Sequence, residues 1–192
     1  MCRNLVLVLG DQLDQSSAAF DDVDKAQDVI WMAEVAEEST HVWTHKARIV
    51  LFLSAMRHFR DHLFDDGFTV DYQEISEKKK AREPMSLAAA LQSSLNRLEK
   101  KGLKPNRLIC VEPGEWRVRV ALEEAAKDAG ISLEVRPDRH FFTTGDDFSE
   151  HAAGRKQLRL EFFYRPLRER FNILMDEGEP AGGQWNYDAD NR

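Results

Sequence analysis

Three short segments of the sequence carry side chains that could hold a ligand. Gly10-Asp11-Gln12-Leu13 combines a glycine, which lets the backbone approach a ligand closely, with an acid and an amide. Residues 112–116, Glu-Pro-Gly-Glu-Trp, precede a predicted helix whose amino end can bind an anion. Residues 34–39 contain three carboxylates that could accept hydrogen bonds from a flat heterocycle. Ordinary strand-to-helix turns and a solvated helix start have the same patterns, so spacing leaves both interpretations open.

Other kinds of site find little support. Neither G-x-G-x-x-G nor G-x-x-x-x-G-K-[ST] occurs, which argues against dinucleotide and P-loop sites. His41 and His45, like His58 and His62, are one helical turn apart, but neither pair forms H-E-x-x-H, and we predict no metal site. No serine lies in a G-x-S-x-G context, so we expect no hydrolytic chemistry and assign no catalytic residue.

The elements that position these segments are predicted from hydrophobic periodicity. Five apolar runs predict strands, at residues 5–9, 29–33, 68–75, 107–111 and 131–135. Three amphipathic segments predict helices, at residues 42–63, 86–102 and 115–129, the second capped by Ser86. The alternation predicts an α/β fold: a Rossmann-like parallel sheet of about five strands in flavodoxin-like order, with helices on both faces. Ligands bind such sheets beyond the carboxyl ends of the strands, where the strand order reverses, and we expect the first two segments to flank that point.

The last third of the chain differs in character. Residues 136–154 are polar and predicted to be irregular, and residues 156–175 are predicted to be helical, with Pro166 starting a new helix or kinking the old one. Residues 182–192 have turn chemistry without periodicity. We therefore expect an α/β domain at 1–136, a helical C-terminal extension at 137–181 that packs on it, and at 182–192 the start of a linker. The lysine-rich residues 77–83 are predicted to form a solvated loop.

Composition limits the possible partners and compartment. The 27 Lys and Arg against 34 Asp and Glu give a formal charge of −7, which argues against nucleic-acid binding through the overall field. The basic residues between Arg155 and Arg170 are interspersed with acids, which favours a solvated or inter-domain face. Cys2 and Cys110 alone cannot form a disulfide framework or a four-thiolate cluster. With no pattern of a signal peptide or membrane span, we expect a cytoplasmic protein without membrane contact.

Several stretches of the chain resemble the amino-terminal region of the photolyase-related proteins, a family that includes iron–sulfur bacterial cryptochromes and six-four photolyases. They occur in the family's order and span nearly the whole chain, at residues 7–13, 34–38, 54–59, 110–118, 153–156 and 182–192.

The resemblance implies that this domain binds an antenna pigment of the 6,7-dimethyl-8-ribityllumazine type. FAD and a 4Fe-4S cluster would be held only by a C-terminal catalytic domain that these residues do not include. Carried over by position, the pigment site consists of Gly10, Asp11, Gln12, Leu13, Ala33 and Glu38. At position 33 the resemblance implies a cysteine where this chain has alanine, and Trp31 and Trp43 also depart from the expected pattern.

The implied function is that of a light-harvesting domain in a photolyase or cryptochrome-like flavoprotein. The full-length protein would be a lyase that repairs ultraviolet-damaged DNA with light, and its partners would be its own C-terminal domain and the damaged DNA. Three alternatives stay open: a free-standing α/β nucleotide-binding or signalling module, a blue-light photoreceptor without repair activity, and a docking domain whose pigment site is empty.

Overall fold

The structure, a computed structural model, describes residues 2–75 and 86–188. The strands are β1 (Cys2–Leu7), β2 (Val29–Ala33), β3 (Val70–Gln73), β4 (Pro105–Val111), β5 (Ser132–Arg136), β6 (Met175–Asp176) and β7 (Glu179–Pro180). The α-helices are α1 (Ala36–Thr40), α2 (Lys46–Asp65), α3 (Leu87–Lys100), α4 (Trp116–Ala129), α5 (Gly145–Ala152) and α6 (Leu160–Phe171). Short 3₁₀ turns lie at Ala18–Phe20 and Ala181–Gly183. The chain divides into two compact units, Met1–Arg139 and His140–Arg192.

The first unit is built on a five-stranded parallel sheet with the order β3-β2-β1-β4-β5. The predicted Rossmann-like sheet is therefore confirmed. The flavodoxin-like order is wrong, because it would place the third strand beside the first, whereas Val70 of β3 pairs with Ile30 of β2. The order reverses between β1 and β4, where Leu5 pairs with Leu108. The loops that follow these two strands thus flank the reversal, as the sequence predicts.

Helices cover both faces of the sheet because the side chains of β1 alternate between two separate cores. Leu5 and Leu7 belong to a core shared with buried leucines of α3 and α4. Val6 and Val8 belong to a second core that contains Met56 and Leu63 of α2. A strand that is buried on both faces has a continuous run of apolar residues in the sequence. The run at 29–33 is such a strand, since all five residues of β2 are buried.

Local signals set several of the helix ends. The side chain of Ser86 accepts a hydrogen bond from Ala89 N, as predicted for the cap of α3. Gly130, with a φ of 65°, ends α4 in the left-handed region that glycine favours. The helix predicted over residues 42–63 is α2, which begins later, at Lys46, because His45 caps it by accepting from Ala47 N.

The second unit contains α5, α6 and the short antiparallel pair β6–β7. The prediction that residues 136–154 are irregular is wrong for α5, which a capping box begins: Thr144 and Asp147 bond each other's backbone N–H groups. Pro166 lies inside α6 and does not start a new helix. The predicted helix also ends early, because Asn172 takes a left-handed conformation with a φ of 52°.

Some predictions fall outside the described residues. The predicted loop at 77–83 and the last four residues of the predicted linker, 189–192, are among them. The packing of the extension on the α/β domain stays a prediction. Within the described chain, no helix is long and apolar enough to cross a membrane.

Candidate ligand-binding cleft

A cleft of about 410 Å³ opens at the carboxyl ends of β1, β2 and β4. This is the place where the strand order reverses, and open α/β sheets bind ligands there. Most of its wall is apolar, formed by Val8, Leu9, Ala33, Val35, Ile49, Phe52, Leu53, Met56, Leu87 and Val118. An apolar wall with a few polar groups is typical of small-molecule sites of this volume.

Four of the six residues predicted for the pigment site line this cleft: Gly10, Asp11, Ala33 and Glu38. Gln12 and Leu13 are not part of the lining. Gln12 instead donates from Nε2 to the Glu112 carbonyl at 2.9 Å, which ties together the two loops beside the strand reversal. Leu13 packs against the second core.

Gly10 allows α2 to approach the end of β1. A Cβ at this position would lie 2.9 Å from Sδ of Met56, closer than side-chain carbons normally come. Met56 is itself buried and lines the cleft. The glycine predicted to lie near a ligand therefore also has a packing role, against the helix that forms one wall.

The carboxylate of Glu34 is fully occupied by protein donors. Arg57 donates to Oε1 and Oε2 at 2.7 and 2.9 Å, Tyr72 donates its hydroxyl to Oε1 at 2.5 Å, and Ile75 N donates to Oε2 at 3.0 Å. We call these four residues the Glu34 network. Burial by itself would raise the pKa of Glu34, but the hydrogen bonds from Arg57, Tyr72 and Ile75 outweigh it, and the pKa is lowered. The same burial, together with the bond to Glu34, raises the pKa of Tyr72.

Glu38 has a different partner. Arg117 donates to both of its carboxylate oxygens, at 2.9 and 3.0 Å, and also to Glu115 at 3.1 Å. We call these three residues the Arg117 cluster, and all of them line the cleft. The bond to Glu38 is the main cause of the raised pKa of Arg117. Of the three predicted carboxylates in this segment, Glu37 does not line the cleft and lies in the first turn of α1.

Asp11 brings a third acid, after Glu38 and Glu115, to the Arg117 side of the cleft. Partial removal from water raises its pKa, and the like charges of Glu115 and Glu38 add to the effect. Its Oδ2 lies 3.8 Å from the position that a Cβ of Gly114 would take, beside the loop that leads into α4. The residue as a whole remains exposed, so this carboxylate is accessible to a ligand.

The connection between α1 and α2 also forms part of the cleft wall. His41, Val42, Trp43 and Thr44 line the cleft, and Trp43 is 91% exposed. Neither this connection nor Arg117 was predicted from the sequence. Arg117 had a detectable signal, since it lies in the predicted first turn of the helix that follows Glu115. Trp43 could not be identified from hydrophobic periodicity, because it lies in a connection between two helices and its apolar side chain is exposed.

Metal ligation finds no geometric support in the described ranges, where no group of three or more His, Cys, Asp and Glu side chains could hold an ion. Cys2 and Cys110 are both buried as free thiols, and burial raises the pKa of Cys110 to about 12. A buried thiol of that kind is a poor ligand and a poor nucleophile.

Comparison with known proteins finds a family model and relatives that match most of this chain. The model of the family described as deoxyribodipyrimidine photo-lyase-related protein matches residues 6–192. A (6-4) photolyase of Agrobacterium fabrum is 42% identical over 188 residues, which are 98% of this chain but 36% of that protein. An uncharacterized protein of Acanthamoeba polyphaga mimivirus is 23% identical over 149 residues, 76% of this chain and 69% of its own length. The chain thus spans about a third of the photolyase that it matches.

Proposed function

Because the chain belongs to the deoxyribodipyrimidine photo-lyase-related protein family, we propose that it is the amino-terminal light-harvesting domain of a photolyase-like flavoprotein. The whole protein would be a lyase that repairs ultraviolet-damaged DNA with light. The 42% identity to a (6-4) photolyase over nearly the whole chain supports this assignment. The observation that carries the antenna role is the cleft at the strand reversal.

The cleft fits a pigment of the 6,7-dimethyl-8-ribityllumazine type in its chemistry. The ring faces of a lumazine are apolar and match walls such as Ile49, Phe52 and Met56. Its polar edge and hydroxylated chain need donors and acceptors, which Asp11, Glu38 and Arg117 supply. When bound, the pigment would absorb short-wavelength light and pass the excitation to a flavin.

The residues of this chain would serve such a pigment by holding it rigidly and excluding water. Met56 and Ala33 are buried, so one side of the cleft is already formed by packed core residues. The Glu34 network fixes the segment after β2, which carries Glu38, to α2 and to the end of β3. None of these roles requires a proton transfer, and an antenna requires none.

No group of side chains in the described residues could hold a 4Fe-4S cluster, and we place this cluster together with FAD in the remaining part of the photolyase-like protein. The two cysteines are buried, one in β1 and one in β4, and cannot reach a shared cluster in these positions. DNA would be bound mainly by that remaining part as well, since this chain has a formal charge of −7. The free cysteines are compatible with the reducing cytoplasm that we propose as its location.

Equilibrium binding of 6,7-dimethyl-8-ribityllumazine to the purified chain tests this proposal. We expect the lumazine to bind at least as tightly as ATP, and a clear preference for ATP would support a nucleotide-binding module instead. Two adjacent positions on α2 provide matched variants, because Ile49 lines the cleft whereas Val50 does not and is 66% exposed. Ile49→Glu should weaken lumazine binding and Val50→Glu should not. Equal effects of the two substitutions would place the pigment elsewhere.

The same preparation tests the division of labour between the domains. We expect it to show no flavin absorption bands and to leave irradiated DNA unrepaired after illumination, because the flavin carries the electron-transfer chemistry. Recovery of bound FAD together with photorepair would place the catalytic site inside this chain and overturn the proposal.

A further inference from the structure

The basic stretch at residues 155–170, in the second unit, divides into two parts according to the partners of its side chains. In the later part, Arg165 and Arg170 each form an ion pair with a carboxylate, and Arg168 donates to two backbone carbonyl oxygens. These three arginines are therefore already occupied by protein acceptors and contribute to the structure of the second unit.

The earlier part carries three cations that have no acidic partner among the described residues. Arg155 donates from Nε to a backbone carbonyl oxygen, Arg159 lies over an aromatic ring, and Lys156 has no ion pair in the described chain. Every residue from 153 to 160 is exposed, and residues 151–160 include no Asp or Glu. We call Arg155, Lys156 and Arg159 the 155–159 cluster.

The 155–159 cluster has the chemistry of a surface that contacts phosphate groups. The planar donors of an arginine match a phosphate, and a lysine adds a compact positive charge. The phosphates of a nucleic acid lie on its outside, so exposed side chains reach them without a cavity. Because the whole chain has a formal charge of −7, a polyanion is attracted only where positive charge is locally unneutralised.

The apolar residues beside these cations fit the same kind of partner. Leu158 and Leu160 flank Arg159 and are 48% and 77% exposed. Apolar side chains next to phosphate-binding cations contact sugars and bases in complexes with nucleic acids. A small free phosphate would leave both leucines in water, whereas a nucleic acid has surface for them as well.

We propose that the 155–159 cluster is a contact surface for the phosphate backbone of DNA. None of its three residues lines the pigment cleft, so this is a separate site. The inference goes beyond the proposed function, which places DNA binding mainly in the remaining part of the protein. It rests on the proposed function only for the choice of DNA among nucleic acids.

Binding of the purified chain to a fluorescently labelled DNA duplex at a series of salt concentrations tests the inference. Each phosphate contact contributes about −0.9 to the slope of log K against log salt concentration, so three contacts give a slope of roughly −2.7. The affinity should then fall about fortyfold between roughly 50 and 200 mM salt. The triple variant Arg155→Gln/Lys156→Gln/Arg159→Gln should lose most of this dependence, and each single substitution should reduce the slope by about one.

A matched control separates the cluster from overall charge. Arg170→Gln removes the same charge from the same unit, but Arg170 is already paired with Asp147. It should change the slope much less than Arg155→Gln does. The double variant Arg155→Lys/Arg159→Lys preserves both charges and should keep the wild-type slope. Circular dichroism of each variant verifies the fold, and the single variants replace the triple variant if that does not fold.

The outcomes distinguish this inference from the proposed function. An unchanged slope in the folded triple variant would overturn the inference, and so would an equal effect of Arg170→Gln, which would mean that net charge controls binding. Absence of DNA binding by the wild type at low salt would also overturn it and would favour a protein surface as the partner of the cluster. None of these results affects the antenna assignment, because wild type and triple variant should bind 6,7-dimethyl-8-ribityllumazine equally.

Discussion

Two carboxylates four residues apart, Glu34 and Glu38, lie in very different surroundings. The Glu34 side chain has no exposed surface and accepts bonds from three different residues, whereas the Glu38 side chain is 37% exposed and pairs with Arg117. Both line the same cleft. The comparison shows that lining a cleft does not by itself give a glutamate a role in ligand binding. Its role depends on how many of the hydrogen bonds that its carboxylate can accept are already made by protein donors.

The Glu34 network therefore supports the fold, and the Arg117 cluster remains available to a ligand. Each oxygen of Glu34 already accepts two bonds, so a ligand could not add another without displacing a protein donor. The Arg117 cluster retains exposed carboxylate surface on Glu38 and Glu115. Substitutions in the two groups should consequently affect different measurements.

The largest expected effect is on stability, from Glu34→Ala. Removing one partner of a buried ion pair typically costs about 3–5 kcal/mol, and we expect the lower end because Arg57 is 40% exposed and can be hydrated. Glu38→Ala removes an exposed pair and should change the free energy of unfolding by at most about 1 kcal/mol. Urea unfolding of both variants measures the difference. Similar losses for the two would show that Glu34 and Glu38 do not differ in role.

The acid sensitivity of the fold should depend on Glu34. Its pKa is lowered in the folded protein, so its stabilising contribution is complete above the ordinary pKa of a glutamate and is lost as the pH falls through the folded value. Wild type and Glu34→Gln should therefore differ most in stability near neutral pH and converge in acid. Urea unfolding at a series of pH values measures this convergence, with Glu38→Gln as the control. A constant difference across the series would contradict the assignment.

The sheet could be predicted because its signals are local in sequence. The continuous apolar run at 29–33 coincides with β2, and Ser86 and Gly130 mark helix ends through their own conformations. The order of the strands could not be obtained in this way, since it depends on whether β3 pairs with β2 or with β1. The helix α5 was missed because none of its residues is buried, so hydrophobic periodicity gave little indication of it.

The cleft could be predicted in position but not in detail. The loops after β1 and β4 were identified because strand ends and glycines are visible in the sequence. The hydrogen-bond partners of Gln12 and Arg117 could not be predicted, because Gln12 bonds a residue 100 positions away and Arg117 bonds one 79 positions away. Glu34 and Glu38 looked equivalent for the same reason: only the fold brings Arg57 and Tyr72 to one of them.

A moderate effect is expected on ligand affinity, from Asp11→Ala and Glu38→Ala. Each should weaken binding of 6,7-dimethyl-8-ribityllumazine about three- to tenfold, the equivalent of one hydrogen bond of roughly 0.5–1.5 kcal/mol. Asp11 and Glu38 both line the cleft, and each would supply one acceptor to the ligand. Glu37→Ala is the matched control, since Glu37 is adjacent to Glu38 but does not line the cleft. Unchanged titrations for both test variants would remove the Arg117 side of the cleft from the site.

The smallest expected effect is a gain in stability from Asp11→Asn. The pKa of Asp11 is raised by partial removal from water and by nearby acids, so its charged form is disfavoured in the folded protein. The folded state then binds a proton more tightly than the unfolded state, and stability falls as the pH rises through the interval between the two pKa values. Asparagine avoids this cost, and the gain should be present near neutral pH and disappear below the ordinary pKa of an aspartate. Because Asp11 is exposed, the gain should not exceed about 0.5 kcal/mol.

Thermal unfolding of wild type, Asp11→Asn and the control Glu37→Gln at neutral and acidic pH measures this gain in stability. A loss of stability in Asp11→Asn at neutral pH would show that the Asp11 carboxylate supports the fold, as Glu34 does, and would remove the distinction between the two sides of the cleft.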